Sequence, residues 1–169
     1  MSERGPAGNL RSGGGLPSAE VDAGGKVYVV WFDCRFRNGC ATDDIVMSTS
    51  TDGKNWSSVV RIPIDGTNSG VEHMIPGIGV DRSTQGNSAH LGLTYYFYPT
   101  NNCNSSTCQL TVGYTSSTDG GSNWSNAITV AGPMVEEFIL GNGQSNDADW
   151  SRFFDIGAAE REESSQPAQ

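Results

Sequence analysis

Two stretches of this chain repeat one another. The first runs PSAEVD, AGG, KVYVVWFDC, RFRNG, CATDDIVMSTSTDGKNWSSVVRIPI; the second runs PGIGVD, RSTQGNSA, HLGLTYYFYPTNNC, NSST, CQLTVGYTSSTDGGSNWSNAITVAG. Their landmarks keep the same order. Pro17 and Asp22 answer Pro76 and Asp81, Cys34 and Cys40 answer Cys103 and Cys108, and Asp52 and Trp56 answer Asp119 and Trp124. The spacing drifts between landmarks, as insertions confined to loops would make it. Such a repeat marks one supersecondary unit used twice, each unit burying its apolar face on a neighbour.

Each unit divides into four expected strands. The first (17–22 and 76–81) is short and rich in small residues. The second (26–33 and 90–98) is almost continuously apolar or aromatic, a pattern that asks for burial on both faces. The third alternates, with Ile45 and Met47 answering Val112 and Tyr114, and the fourth (57–64 and 125–130) is short. Gly24-Gly25 turns the first strand into the second, and a cysteine loop joins the second to the third. Four antiparallel strands per repeat is the pattern of propeller blades; a β-sandwich also shows many short strands. The sequence therefore predicts an all-β fold, a partial β-propeller of about two four-stranded antiparallel blades over 16–65 and 73–133. Residues 1–15 are expected to be a flexible lead and 134–169 an irregular, disordered acidic tail.

The turn between third and fourth strands favours the propeller. It reads Ser117-Thr118-Asp119-Gly120-Gly121-Ser122-Asn123-Trp124 in the second unit. In the first it reads Ser50-Thr51-Asp52-Gly53-Lys54-Asn55-Trp56, one residue shorter. The carboxylate can accept N–H groups of its own turn, glycine permits positive φ, and the indole closes the sheet from the turn end. These turns resemble the Asp-box of the sialidase (neuraminidase) superfamily, Ser-x-Asp-x-Gly-x-x-Trp. The resemblance covers roughly 16–133 and includes PSAEVDAGGKVYVVWFDCRF, which is similar to secreted bacterial exo-α-sialidase-like proteins. It implies a BNR-repeat propeller and a glycoside hydrolase that removes terminal sialic acid from glycans. It assigns the structural box to Ser50, Asp52, Gly53 and Trp56, and to Ser117, Asp119, Gly121 and Trp124.

Composition narrows the function. Net charge is −9 and no basic stripe exists, so a nucleic-acid or anionic-membrane partner is not expected. No apolar run is long enough for a transmembrane segment. Cys34 with Cys40 and Cys103 with Cys108 form two close pairs, read as disulfides in an oxidising, extracellular compartment, with free thiols and zinc as the alternatives. Met1–Gly15 carries no apolar signal core. A leader already removed, or a chain that starts inside a larger secreted protein, is the expectation. The change of composition beyond Met134 suggests truncation or an altered reading frame.

Sialidases of this superfamily hold the substrate carboxylate with three arginines, and use a Tyr–Glu nucleophile and an Asp acid/base. The resemblance implies that these groups gather on the side opposite the Asp-box turns. Strand alternation puts Asp33, Arg35, Arg37, Asp43 and Asp44 there, with Glu20 on the first strand. Arg35 can clamp a carboxylate, and Asp33 or Glu20 can act as acid/base. The plainer expectation is solvated arginines and turn-capping aspartates, and two blades are too few to supply the whole set. Tyr95, Tyr96, Phe97 and Tyr98 are expected to pack between blades, and His73 and His90 to be structural or exposed. Asn55, Asn104 and Asn123 begin glycosylation sequons, of which the first and last serve the turns. No cofactor is expected. The function expected is a fragment of a sialidase-like hydrolase, inactive alone, which self-associates through exposed blade edges. A non-catalytic extracellular propeller binding glycans or proteins is the alternative.

Overall fold

The computed structural model describes residues 16–104 and 106–135. They form two antiparallel four-stranded sheets. The first contains β1 (Ser18–Val21), β2 (Val27–Asp33), β3 (Asp44–Ser50) and β4 (Val60–Arg61), and the second β5 (Glu72–Val80), β6 (Leu91–Tyr98), β7 (Gln109–Ser117) and β8 (Ile128–Val135). Strand order follows the chain, β1-β2-β3-β4 and β5-β6-β7-β8, so each sheet is a meander. Among the described residues helix is limited to two single 3-10 turns, Asn38–Cys40 and Gly86–Ser88. The all-β expectation holds, and among the described residues the two sheets close no ring. The expected lead 1–15 and the tail from 136 on lie outside the described residues.

Alternation along the strands builds the core. Tyr28, Val30 and Phe32 of β2, with Ile45 and Met47 of β3, meet Ile78 of β5 and Leu91, Leu93 and Tyr95 of β6 in one apolar cluster. Phe97 and Trp124 pack against its edge. The aromatic run thus splits by parity: Tyr95 and Phe97 join this layer, and Tyr96 points to the opposite side of its sheet. Gly113 makes room for this arrangement, because a Cβ there would lie 2.3 Å from the Tyr95 ring.

Strand ends depart from the sequence expectation in three places. β5 starts at Glu72 rather than Pro76, because Glu72, His73 and Met74 pair with Tyr98, Phe97 and Tyr96 before the register shifts between Met74 and Gly77. Pro76 has no N–H to donate, and Ile75 takes a φ of 47°, so the ladder is interrupted there by a bulge and resumes. β4 shrinks to Val60–Arg61, and β8 runs on to Val135, beyond the expected end of the second unit.

Both turns that lead out of the third strand fold alike. Asp52 Oδ1 accepts the N–H groups of Lys54 and Asn55 at 2.8 and 2.7 Å, and Oδ2 accepts Asn55 Nδ2 at 2.6 Å. Asp119 accepts Asn123 N and Nδ2 at 2.8 and 2.6 Å. Ser50 Oγ accepts Gly53 N, and Ser117 Oγ accepts Gly121 N, at 2.9 and 3.0 Å. Each serine also donates to its aspartate. These bonds hold Asp119 down at about 2 and Asp52 well below the usual carboxylate range, with the asparagine N–H first among the causes. Asn55 and Asn123 therefore serve the turns, as their sequence positions suggested.

A second layer of equivalence was not visible in the motif. Ser48 Oγ donates to Ser57 O, and Thr115 Oγ1 to Ser125 O, both at 2.8 Å. Ser57 Oγ accepts Thr49 N, and Ser125 Oγ accepts Ser116 N, both at 3.0 Å. A serine immediately after each tryptophan thus pins the outgoing chain to the third strand. The tryptophans differ, however. Trp124 donates Nε1 to Gly121 O and packs on the inter-sheet core, whereas Trp56 is 47% exposed.

Disulfides Cys34–Cys40 and Cys103–Cys108 close both cysteine loops, with Cα–Cα distances of 4.8 and 5.0 Å. No helix among the described residues is long and apolar enough to cross a membrane.

Gly121 offers a steric test of this packing at the sheet interface. It has a φ of +89°, and a Cβ there would lie 2.5 Å from Met47 Cε across the sheet interface. Gly121→Ala is expected to destabilise the fold by about 1–3 kcal/mol in chemical denaturation. Gly53→Ala meets no atom within 4 Å and is expected to show only the backbone part of that loss. Equal effects at the two sites would count against the packing described.

Candidate functional site

At the end of the sheets opposite the Asp-Gly turns, three segments converge: the disulfide-closed loop 34–43, the linker 62–71, and the start of β5. Most of the polar residues singled out in the sequence lie here. Their arrangement separates into a pair that presents one cation to solvent and a buried network.

The pair is Asp33 with Arg35. Asp33 ends β2 and is fully buried. Its Oδ1 accepts Arg35 N at 2.9 Å and Arg35 Nε at 3.0 Å, and its Oδ2 accepts Arg35 Nη2 at 2.7 Å and Trp31 Nε1 at 3.2 Å. The bidentate bond that Arg35 donates to Asp33 raises the Arg35 pKa above its ordinary value. The Asp33 carboxylate therefore serves to orient its own loop. The Arg35 side chain remains 37% exposed, so its fixed cation is presented to solvent.

Arg37 behaves differently from the solvated arginine that its loop position suggested. Its side chain is buried. Nη1 donates to Gly66 O at 2.9 Å and Ser69 Oγ at 3.0 Å, while Nη2 bonds Asp65 Oδ1 at 2.9 Å and also Asp44 Oδ1. Arg61 Nη2 bonds the same two carboxylates, with Asp44 Oδ1 at 2.8 Å. Burial opposes the Arg61 charge, but Asp44 and Asp65 outweigh it and raise its pKa. The loop, β3, β4 and the linker are therefore joined by two cations and two anions that neutralise one another. One partner removed would leave an uncompensated buried charge.

His73, expected to be structural or exposed, is buried against this network. Its Nδ1 lies 3.2 Å from Asp43 O, its Nε2 lies 3.9 Å from Asp65 Oδ2, and its ring meets Tyr95 edge-on at 5.6 Å. Burial pushes its pKa down, against the opposing pull of Asp65 and Asp44, and Arg37 adds to the depression. Burial, with Asp65 nearby, pushes the Tyr95 phenol up to about 12. Tyr95, His73 and Asp65 help line an open cavity of about 190 Å³, together with Ile64, Val71, Phe97 and Ile128.

Asp44, Asp65 and His73 bring potential ligand atoms within 4.8 Å of one another. They do not fit a metal ion. The facing oxygens of both aspartates already bind the Arg37 and Arg61 guanidiniums, so the positive charge that a metal would supply is present.

The remaining sequence candidates fall elsewhere. Glu20 lies on β1 and pairs with Arg82 at 3.5 Å, in the loop beside the Asp-Gly turns and away from Asp33 and Arg35. Asp43 accepts His73 N at its backbone carbonyl and donates its own N–H to Glu72 Oε1 at 3.0 Å. Glu72 faces Tyr98 across the β5–β6 ladder, and both are buried. Sequence reasoning missed Arg61, Asp65 and Glu72. Only their position beside strand ends hinted at a role, and their partners lie far off in sequence. No known family model matches the chain, and neither does any curated protein.

His73 gives the site a measurable pH response. The unfolded chain takes up a proton near the ordinary histidine value of about 6.5, and the folded chain does so only lower. Stability is therefore full above that value and falls as pH drops below it, until His73 itself titrates. Denaturant midpoints taken between pH 7 and pH 5 should decline for the native chain and stay flat for His73→Phe. An identical decline in both would remove His73 as the cause.

Proposed function

We propose that the two sheets are consecutive blades of a sialidase-type β-propeller, derived from a secreted exo-α-sialidase-like glycoside hydrolase acting on terminal sialic acid. The single observation that carries this proposal is the pair of matching Ser–Asp–Asn turn clasps, at the same corner of two successive four-stranded meanders. Two disulfides agree with an extracellular setting. Propeller folds serve many functions, so the activity has to be argued from the site.

The site supports carboxylate recognition better than hydrolysis. Arg35 is held rigid by Asp33 and faces solvent at the end opposite the clasps, as a residue that grips a sugar carboxylate must. Asp33 is saturated by Arg35 and Trp31, Glu20 pairs with Arg82 at the clasp end, and Glu72 and Tyr98 are buried. These residues are not arranged as an acid/base facing Arg35. The chain by itself is inactive in this proposal, and further blades complete the site. The same observation favours, as a second reading, a non-catalytic extracellular propeller that binds acidic glycans.

A fluorogenic sialoside should give no turnover with this chain. Retention on an immobilised sialylated oligosaccharide should exceed that on its desialylated form and disappear in Arg35→Ala. Turnover would overturn the claim of inactivity, and retention indifferent to Arg35→Ala or to sialic acid would overturn the glycan reading.

A further inference from the structure

The repeat makes the two sheets comparable residue by residue. Asp22 N bonds Lys26 O and Asp81 N bonds His90 O, both at 3.0 Å, which sets Asp22 equivalent to Asp81. The pairs Val21↔Val27 and Ala19↔Val29 then correspond to Val80↔Leu91 and Ile78↔Leu93. In the second sheet Ile78, Val80, Leu91, Leu93 and Trp124 form its side of the inter-sheet core. In the first sheet the same positions hold Ala19, Val21, Val27, Val29 and Trp56. All are apolar, and none is fully buried: Val21 is 45% and Trp56 47% exposed, and Ala19 is exposed too.

The opposite side of the second sheet mirrors this. Phe32, Ile45 and Met47 of the first sheet are buried in the core, and the strand registers match them to Tyr96, Val112 and Tyr114. These three are only half-buried. A polar contact is also unmatched. Asp22 Oδ2 reaches across the interface to accept Gly86 N at 2.7 Å, whereas Asp81, its equivalent, is exposed, and its carboxylate accepts from Ser83 N and Oγ, at 2.9 and 2.7 Å, within its own loop. The outer face of the first sheet thus carries the apolar positions of the receiving half of the internal interface, and the outer face of the second sheet carries part of the inserting half, with Gly92 and Thr94 where Tyr28 and Val30 stand in the first.

We propose that the chain associates head to tail with a second copy of itself. The face of Val21, Val29 and Trp56 in one copy takes the Tyr96, Val112 and Tyr114 face of the next, and Asp81 takes a backbone N–H of the incoming copy as Asp22 does within the chain. The two faces are unlike, so the contact is heterologous, and it propagates until the rotation closes. This differs from pairing through strand edges, which would leave both faces bare.

Two double variants test this in the full chain: Val21→Asp with Trp56→Asp on one face, and Val112→Asp with Tyr114→Asp on the other. Sedimentation velocity should show the native chain associating with rising concentration and each double variant monomeric. An equimolar mixture of the two variants should form a 1:1 heterodimer and nothing larger, because each retains the face that the other lost. Near-UV circular dichroism checks folding. Should a double aspartate variant unfold, Trp56→Ser and Tyr114→Ser take its place in the same mixing scheme. A native chain that stays monomeric overturns the proposal, as does one that associates while the variant mixture stays monomeric. Variants that still associate alone would point to edge pairing and also overturn it.

Discussion

The structure depends on a carboxylate held by the backbone of its own turn. In each sheet an aspartate gathers the N–H groups of the residues after it, a serine two positions earlier closes the loop, and the chain leaves in a fixed direction. That direction decides where the following tryptophan and serine lie. The serine pins the outgoing chain to the third strand, Gly121 lies against Met47 of the neighbouring sheet, and Trp124 packs on the core between the sheets. A local polar bond of modest strength therefore positions a much larger apolar contact.

Between the sheets, burial and a few directed bonds act together. The aromatic and branched residues of β2, β3 and β6 supply the apolar layer. At one end Asp22 ties the turn before β2 to the loop before β6 through Gly86, Gly24, Lys26 and Tyr28. Burial works against the Asp22 charge, but these donors outweigh it and keep its pKa below the ordinary value. At the other end Arg37, Arg61, Asp44 and Asp65 join loop, strand and linker, and His73 brings β5 against them. The end that bears the candidate site is thus built from charges that cancel internally, and Arg35 is presented outward from it.

Much of the fold was legible in the sequence because it is local or repeated. Each clasp lies within a few residues, the cysteine pairs are close, and the two-sided apolar second strand announces burial on both faces. Distant relations were not legible. Asp22 looks like a turn residue, and nothing near it reveals Gly86 as its partner. Arg37 reads as a loop arginine because Asp65, Gly66 and Ser69 enter only through the fold. The early start of β5 was hidden by Pro76, which interrupts the ladder without ending the strand. Trp56 and Trp124 share a motif but not an environment, since Trp124 packs against the neighbouring sheet and Trp56, among the described residues, has no such cover.

The two turns are one device used twice. Side-chain carboxyl titration by NMR measures this directly. Asp52 and Asp119 should both titrate far below an ordinary aspartate, Asp119 near 2, and the amide signals of Asn55 and Asn123 should move with them. Titration of either carboxylate near the usual 3.9, with its asparagine amide unmoved, would mean that the clasp is not formed there.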